Sequence, residues 1–203
     1  MATRKILWIV FIALFLVLTV GCTKTYKIGD TCPAGGTVFY DKGVYADGWR
    51  YLSAAPAGTE FNAEWGAYIG SWATGDYVGI DVSGTSTAIG SGKANTNLIV
   101  DTQAKLGEAG RAAQLCRALK IGGFDDWFLP SGDELALMYQ NLHEQGLGDF
   151  GKGNNSESWM NWMYWSSSQD DSAHGVLSQD LYDGLQVYNI KDGTYRVRAC
   201  RAF

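Results

Sequence analysis

The sequence predicts an α+β fold in which helices sit between two blocks of antiparallel strands, forming small sheets with long irregular loops. Three observations carry this reading. Residues 35–55 hold two β-prone runs, TVFY and WRYL, interrupted by DKG and ADG, where Gly tolerates positive φ and Asp bonds locally to backbone. Residues 95–146 show apolar spacing at helical period, and from residue 159 onward short aromatic and polar runs alternate with DD, DG and KDG turns.

In chain order, Arg4 and Lys5 precede thirteen unbroken apolar residues, Ile6 to Leu18, and then Gly21 and Cys22. This stretch is short for a bilayer span and reads as an export signal over residues 1–21. The small residue before Cys22 matches a bacterial lipobox, so Cys22 is expected to be lipidated, with residues 22–30 as a tether and residues 31–203 as one domain. Thr23 rather than Asp after the lipidated position favours the outer membrane or cell surface, with the membrane reached through the lipid anchor only.

After the 35–55 hairpin, residues 57–93 are rich in Gly, Ser and Thr and show no sustained period, so irregular structure pinned by Trp65, Tyr68, Trp72 and Tyr77 is expected. A helix is predicted over Asn95 to Lys120, with Leu106, Ala109, Ala113, Cys116 and Leu119 on one stripe and a break at Gly107 and Gly110. A second helix should start at Ser131, because Pro130 precedes it and Ser131 with Glu134 forms an S-x-x-E capping box. Leu135, Met138 and Leu142 form its apolar face, and Gly146 ends it.

Composition excludes several functions. Removing residues 1–21 takes Arg4 and Lys5 and no acid, so 16 basic residues become 14 against 21 acidic ones, a formal charge of −7. Nucleic acid, which is held by neutralising phosphates with Lys and Arg, is not an expected partner. With only His143 and His174, a three-histidine zinc site is impossible, and H-E-x-x-H, G-x-S-x-G and phosphate-loop motifs are absent. Asp170, Asp171, Asp180, Asp183 and Asp192 invite calcium, but their spacing matches no EF-hand and they read as solvated turn residues. Neither a catalytic residue nor a cofactor is expected. With Cys22 used for lipid, Cys32, Cys116 and Cys200 leave three pairings open.

Six phrases occur in order: GGTVFY from Gly35, GWRYLSAAP from Gly48, GKANT from Gly92, DWFLPS from Asp126, YWSSS from Tyr164 and YRVRACRAF from Tyr195. Together they resemble the bacterial domain family named after the C-terminal domain of a Legionella collagen-like protein. That resemblance implies a C-type-lectin-like fold, a bridge between Cys116 and Cys200, and structural roles for Trp127, Trp165 and the first two serines of YWSSS. It is also similar to the variable binding proteins of diversity-generating retroelements, whose C-terminal surface positions are diversified.

The expected ligand face lies between those frame elements. It comprises Trp159, Asn161, Trp162, Tyr164, Ser168, Gln169, Asp170, Asp171 and His174, then Val176, Ser178, Asp180, Tyr182, Leu185, Val187 and Tyr188. Aromatic faces among short polar groups suit adaptable recognition of an extracellular protein or glycan, and so adhesion rather than turnover. The alternative is a structural or assembly lipoprotein that uses the same face as a subunit contact.

Overall fold

The computed structural model describes residues 24–151 and 162–203. Its α+β architecture is built from ten strands and three α-helices among those residues. Strands β1 (Thr37–Ala46) and β2 (Trp49–Ala54) form the expected hairpin, and β10 (Cys200–Ala202) adds to it in the order β1-β2-β10. Asp47 and Gly48 both take positive φ between the paired Ala46 and Trp49, as a two-residue hairpin turn of matching twist requires.

A five-stranded sheet has the order β3-β9-β6-β7-β8, from β3 (Phe61–Glu64), β6 (Met163–Gln169), β7 (Gly175–Asp180), β8 (Gln186–Ile190) and β9 (Thr194–Val197). Its neighbours are antiparallel except β6 and β9, which meet in parallel at Tyr164 and Arg196. A small ribbon pairs β4 (Tyr68–Ile69) with β5 (Val78–Gly79).

The helical region breaks where the glycines predict. Helix α1 (Gly92–Lys105) stops before Gly107 and Gly110, both at positive φ, and α2 (Ala112–Ala118) restarts the turn. The expected stripe holds in its second half: Ala113 and Cys116 are fully buried and Leu119 packs against the same core, whereas Leu106 and Ala109, at the break, are exposed, and α1 buries Asn95, Thr96, Ile99, Val100 and Gln103. The polar members of that face act as latches. Asn95 exchanges bonds with the Ser86 backbone and donates to Ser167 Oγ at 3.1 Å, Thr96 Oγ1 accepts from Leu129 N, and Gln103 Nε2 donates to Trp65 O at 2.6 Å. Each one satisfies loop or strand backbone that burial would otherwise leave unpaired.

Helix α3 (Gly132–Met138) carries the capping box reciprocally: Ser131 Oγ accepts from Glu134 N, and Ser131 N donates to Glu134 Oε2. Glu134 Oε1 also accepts from Gly90 N at 2.8 Å, so this buried carboxylate fixes the helix start and the loop before α1 together, while burial pushes its pKa up. Leu135, Met138 and Leu142 are fully buried, as the spacing predicts, with a wider π-type turn over Tyr139–His143.

The predicted bridge is not formed. Cys32, Cys116 and Cys200 are free, buried thiols. Cys116 packs in the core cluster around Trp65 and Trp165, whereas Cys200 belongs to a second cluster with Phe39, Leu135 and Met138. Its Sγ faces the start of α3, 3.9 Å from Glu134 Oε2. Burial raises the pKa of both thiols.

Buried ion pairs and packing hold the frame instead. Arg198 is 1% exposed; its Nε donates to Glu60 Oε1 at 2.8 Å, and its other nitrogens donate to the carbonyls of Ala55, Gly148 and Asp149. Its guanidinium also lies over the Phe150 ring. Arg196 approaches the same carboxylate at 3.7 Å. Both arginines thus share Glu60, and the chain changes sheet between Val197 and Cys200, so the three side chains need not occupy one regular strand face.

Gly36 shows how closely the hairpin packs. A Cβ there would stand 2.2 Å from Ala54 O and 3.4 Å from the Trp127 ring. Gly36→Ala is therefore expected to destabilise the protein by on the order of 2–3 kcal/mol, read as a lower urea midpoint at unchanged slope.

Candidate functional site

The ribbon β4–β5 is too short to bury a core of its own. Its connecting loop contains Ser71, Trp72, Gly75, Asp76 and Tyr77, and local bonds fix its shape. Ser71 N donates to Asp76 Oδ1 and Ala73 N to Ser71 Oγ, while Gly75 takes positive φ at the end of the 3-10 turn. Trp72 N donates to Asp192 Oδ2 at 2.9 Å, which anchors the loop to the turn after β8. Tyr77 Oη donates to His174 O and accepts from Lys191 N. At Gly79 a Cβ would lie 2.3 Å from Ala173 O, so the ribbon is pressed directly onto the β6–β7 turn.

Where ribbon, turn and β8 meet, they enclose an open cleft of about 440 Å³. Trp72 and Tyr77 come from the ribbon loop, Asp170, His174 and Gly175 from the β6–β7 turn, and Tyr188, Asn189 and Ile190 from β8. Trp72 is 64% exposed and Tyr188 57%, yet the backbone beneath Trp72 is hydrogen-bonded. Tyr77 lies edge-on to Trp72 at 6.1 Å between ring centroids, 6.1 Å from the His174 ring, and stacked on Tyr68 at 5.7 Å. Burial raises the Tyr77 pKa, with Asp192 and Asp170 adding to the shift, so its hydroxyl stays protonated across the neutral range.

Asp170 holds the turn: its Oδ1 accepts from Ser172 N and Gly175 N, and Ser172 Oγ donates to the same carboxylate. Asn189 Oδ1 accepts from Tyr195 Oη, but its buried Nδ2 has no partner among the described residues.

Of the residues predicted to bind, Asp170, His174 and Tyr188 therefore come together, joined by Trp72, Tyr77 and Asn189. Trp162 and Tyr182 form a separate corner, 5.8 Å apart edge to face, with Tyr182 at 73% exposed and Leu185 also exposed in the β7–β8 turn. Asp171 is exposed beside Asp170, Asp180 Oδ1 caps the turn by accepting from Tyr182 N, and Val187 is half-buried against the main core. Trp159 and Asn161 lie outside the described residues, as does Cys22.

Four predicted ligand residues are core residues. Tyr164 is fully buried and donates to Glu60 Oε1 at 2.8 Å; Val176 and Ser178 are likewise inaccessible. Ser168 is used internally, its Oγ donating to Ser86 O and accepting from Gly132 N. Both faces of β6 and β7 are covered, so outward-pointing positions meet α1, α3 or the 82–88 loop rather than solvent. Gln169 is half-buried and also committed: its Oε1 accepts from Val82 N and Lys191 Nζ, and its Nε2 donates to Asp81. The frame roles of Trp127, Trp165, Ser166 and Ser167 agree with their burial. The acidic residues stay dispersed in separate turns; among the described residues no three Asp, Glu, His or Cys side chains converge.

Behind the cleft, Lys191 is completely buried. Its Nζ donates to Ile80 O and Gln169 Oε1, both at 2.6 Å, and stands over the Trp65 ring. Desolvation pulls its pKa down to about 8 from the usual lysine value of 10.5. Below pH 8 the ammonium is charged in both folded and unfolded states, and the desolvation penalty is complete. Between about 8 and 10.5 the folded state loses the proton first and the penalty is relieved. The buried thiols act oppositely as pH rises through 9, so the measurement is a difference. The stability of wild type minus that of Lys191→Met is expected to rise with pH across this window by up to about 1.4 kcal/mol per unit, in urea titrations at several pH values. A flat difference would show that Lys191 is not desolvated.

Comparison of the chain with protein-family models gives no match, and comparison with curated proteins gives none at a significant level. Among the described residues no helix is long and apolar enough to cross a membrane.

Proposed function

We propose that this chain is an exported lipoprotein, anchored through Cys22 to the outer membrane or cell surface, with a C-type-lectin-like domain that binds an extracellular protein or glycan. The cleft of Trp72, Tyr77, His174 and Tyr188 is its recognition site, and it acts by adhesion rather than by turnover. The observation that carries this reading is the exposure of Trp72 and Tyr188 beside a cleft whose backbone is fixed on all three sides. Large rigid rings next to a few polar groups give contact area at low entropic cost. The ordered phrases support the fold assignment, as does the position of β10 beside β2, which brings the two ends of the described chain into one sheet.

A screen against immobilised glycans and matrix proteins tests the proposal. Saturable binding without chemical change of the ligand is expected; release of a modified product would contradict it.

The corner where the exposed Tyr182 and Leu185 stand beside the half-buried Trp162 favours a second reading, in which that corner is a permanent subunit contact in an envelope assembly. A mass in solution that stays oligomeric on dilution would support it, and a monomer at all concentrations would remove it.

A further inference from the structure

The lining of the cleft suggests what kind of group it takes. Three aromatic side chains contribute to it, and, apart from His174, no lining residue can carry positive charge. Asp170 lines it and Asp192 supports Trp72 from below. Neither carboxylate has a Lys or Arg within ion-pair distance among the described residues. The buried cation behind the cleft, Lys191, directs its Nζ at Ile80 O and Gln169, inside the protein, and from there offsets only part of the Asp170 charge. Aromatic faces beside carboxylates that lack a directly paired cation attract cations, most strongly when water is excluded.

The type of cation follows from the hydrogen bonds. A primary ammonium entering the cleft loses three bonds to water and needs acceptors in exchange. Asp170 Oδ1 already accepts from two backbone N–H groups and a hydroxyl, its Oδ2 from the same hydroxyl, and Asn189 Oδ1 from Tyr195. A fully alkylated ammonium has no N–H to satisfy, so aromatic faces and a diffuse field suit it without new acceptors. What the site leaves without a partner is a donor, Asn189 Nδ2, which is itself covered and meets a ligand only if the Asn189 amide turns toward the cleft. A ligand with an oxygen a few atoms from its charged nitrogen would draw the amide out and meet that donor.

Resting on the assignment of the cleft as the recognition site, we propose that it binds a choline-type headgroup, with the quaternary ammonium among Trp72, Tyr77 and Tyr188 and the nearby oxygen at Asn189. The same ammonium could be presented by phosphocholine-bearing glycans or lipids or by a trimethylated lysine. The Asn189 donor favours the choline-type source, because trimethyl-lysine carries only methylenes next to its nitrogen.

The test is calorimetric titration of the full chain with choline, its neutral isostere 3,3-dimethyl-1-butanol, phosphocholine, a trimethyl-lysine peptide and cellobiose. Choline is expected to bind about tenfold more tightly than the isostere, with Trp72→Ala abolishing binding. Asp170→Asn, which keeps Oδ1 for both backbone donors, should narrow the gap between choline and the isostere. Choline or phosphocholine binding more tightly than the peptide supports the choline-type source; the reverse order overturns the role of Asn189. Equal binding of choline and its isostere, or no choline binding at millimolar concentrations, overturns the inference by comparisons on wild type that need no variant to fold. Cellobiose binding lost in Trp72→Ala, with choline silent, would overturn the cation while leaving the recognition site in place. Retention by Trp72→Ala of every ligand found by the screen would instead remove the site itself.

Discussion

Arg198→Ala is expected to destabilise the protein by about 3–5 kcal/mol, the largest effect of any single side chain outside the aromatic core. The substitution leaves Glu60 in a largely buried position facing Tyr164 Oη, with only Arg196 at 3.7 Å to balance it. It also orphans the carbonyls of Ala55, Gly148 and Asp149, which two distant segments present to one guanidinium. Arg198→Lys should recover little, since a point charge with three donors cannot reproduce a planar fork that serves four acceptors. Urea denaturation of both variants measures the effect. A shift below about 1 kcal/mol would mean that solvent replaces the arginine, as happens at surface ion pairs but not at a site 1% exposed.

Trp72→Ala is expected to weaken ligand binding by about thirtyfold or more while leaving the urea midpoint within experimental scatter. The two halves of that expectation have different origins. Binding falls because the largest exposed ring at the cleft is removed, whereas stability is kept because Trp72 belongs to neither core cluster and its backbone bond to Asp192 survives truncation. Trp165→Ala provides the contrast. Its ring is buried, its Nε1 donates to Ala63 O, and it packs 4.6 Å from Tyr195, so its loss should be felt in folding by about 3–5 kcal/mol.

Local chemistry made much of this fold legible. The turn at Asp47-Gly48, the Ser131–Glu134 box and the glycine break after α1 each depend on a few neighbouring residues, and each stands where the sequence places it. What misled the reading is long-range. Tyr164, Ser168, Val176 and Ser178 are expected at the ligand face, yet β6 and β7 are buried along nearly their whole length, and the Ser168 hydroxyl serves Gly132 N and Ser86 O. The expected stripe covers α2, at Ala113, Cys116 and Leu119, but not α1, whose buried face includes Asn95, Thr96 and Gln103, held by hydrogen bonds that a hydrophobic period does not register. Cys116 and Cys200 stand on the elements the family resemblance suggests, but the sulfur of Cys200 turns to Glu134.

The site was half legible. Asp170, His174 and Tyr188 fall in the C-terminal strands and turns where recognition was expected. Trp72 and Tyr77 were seen only as pins for an irregular stretch, because nothing local reveals that residues 68–79 fold onto a turn about a hundred residues away. The available signal was the density of large apolar residues around Gly75-Asp76, with Ile69, Trp72 and Val78 all exposed. A segment that buries so few of its large side chains has them free for another molecule.

The most direct test compares three variants against whichever extracellular ligand the screen identifies. Trp72→Ala and Tyr188→Ala are expected to lose binding, while Tyr182→Ala, on the separate corner with Trp162, keeps it. Binding that survives the first two and disappears with the third would place recognition at the β7–β8 turn and contradict the cleft.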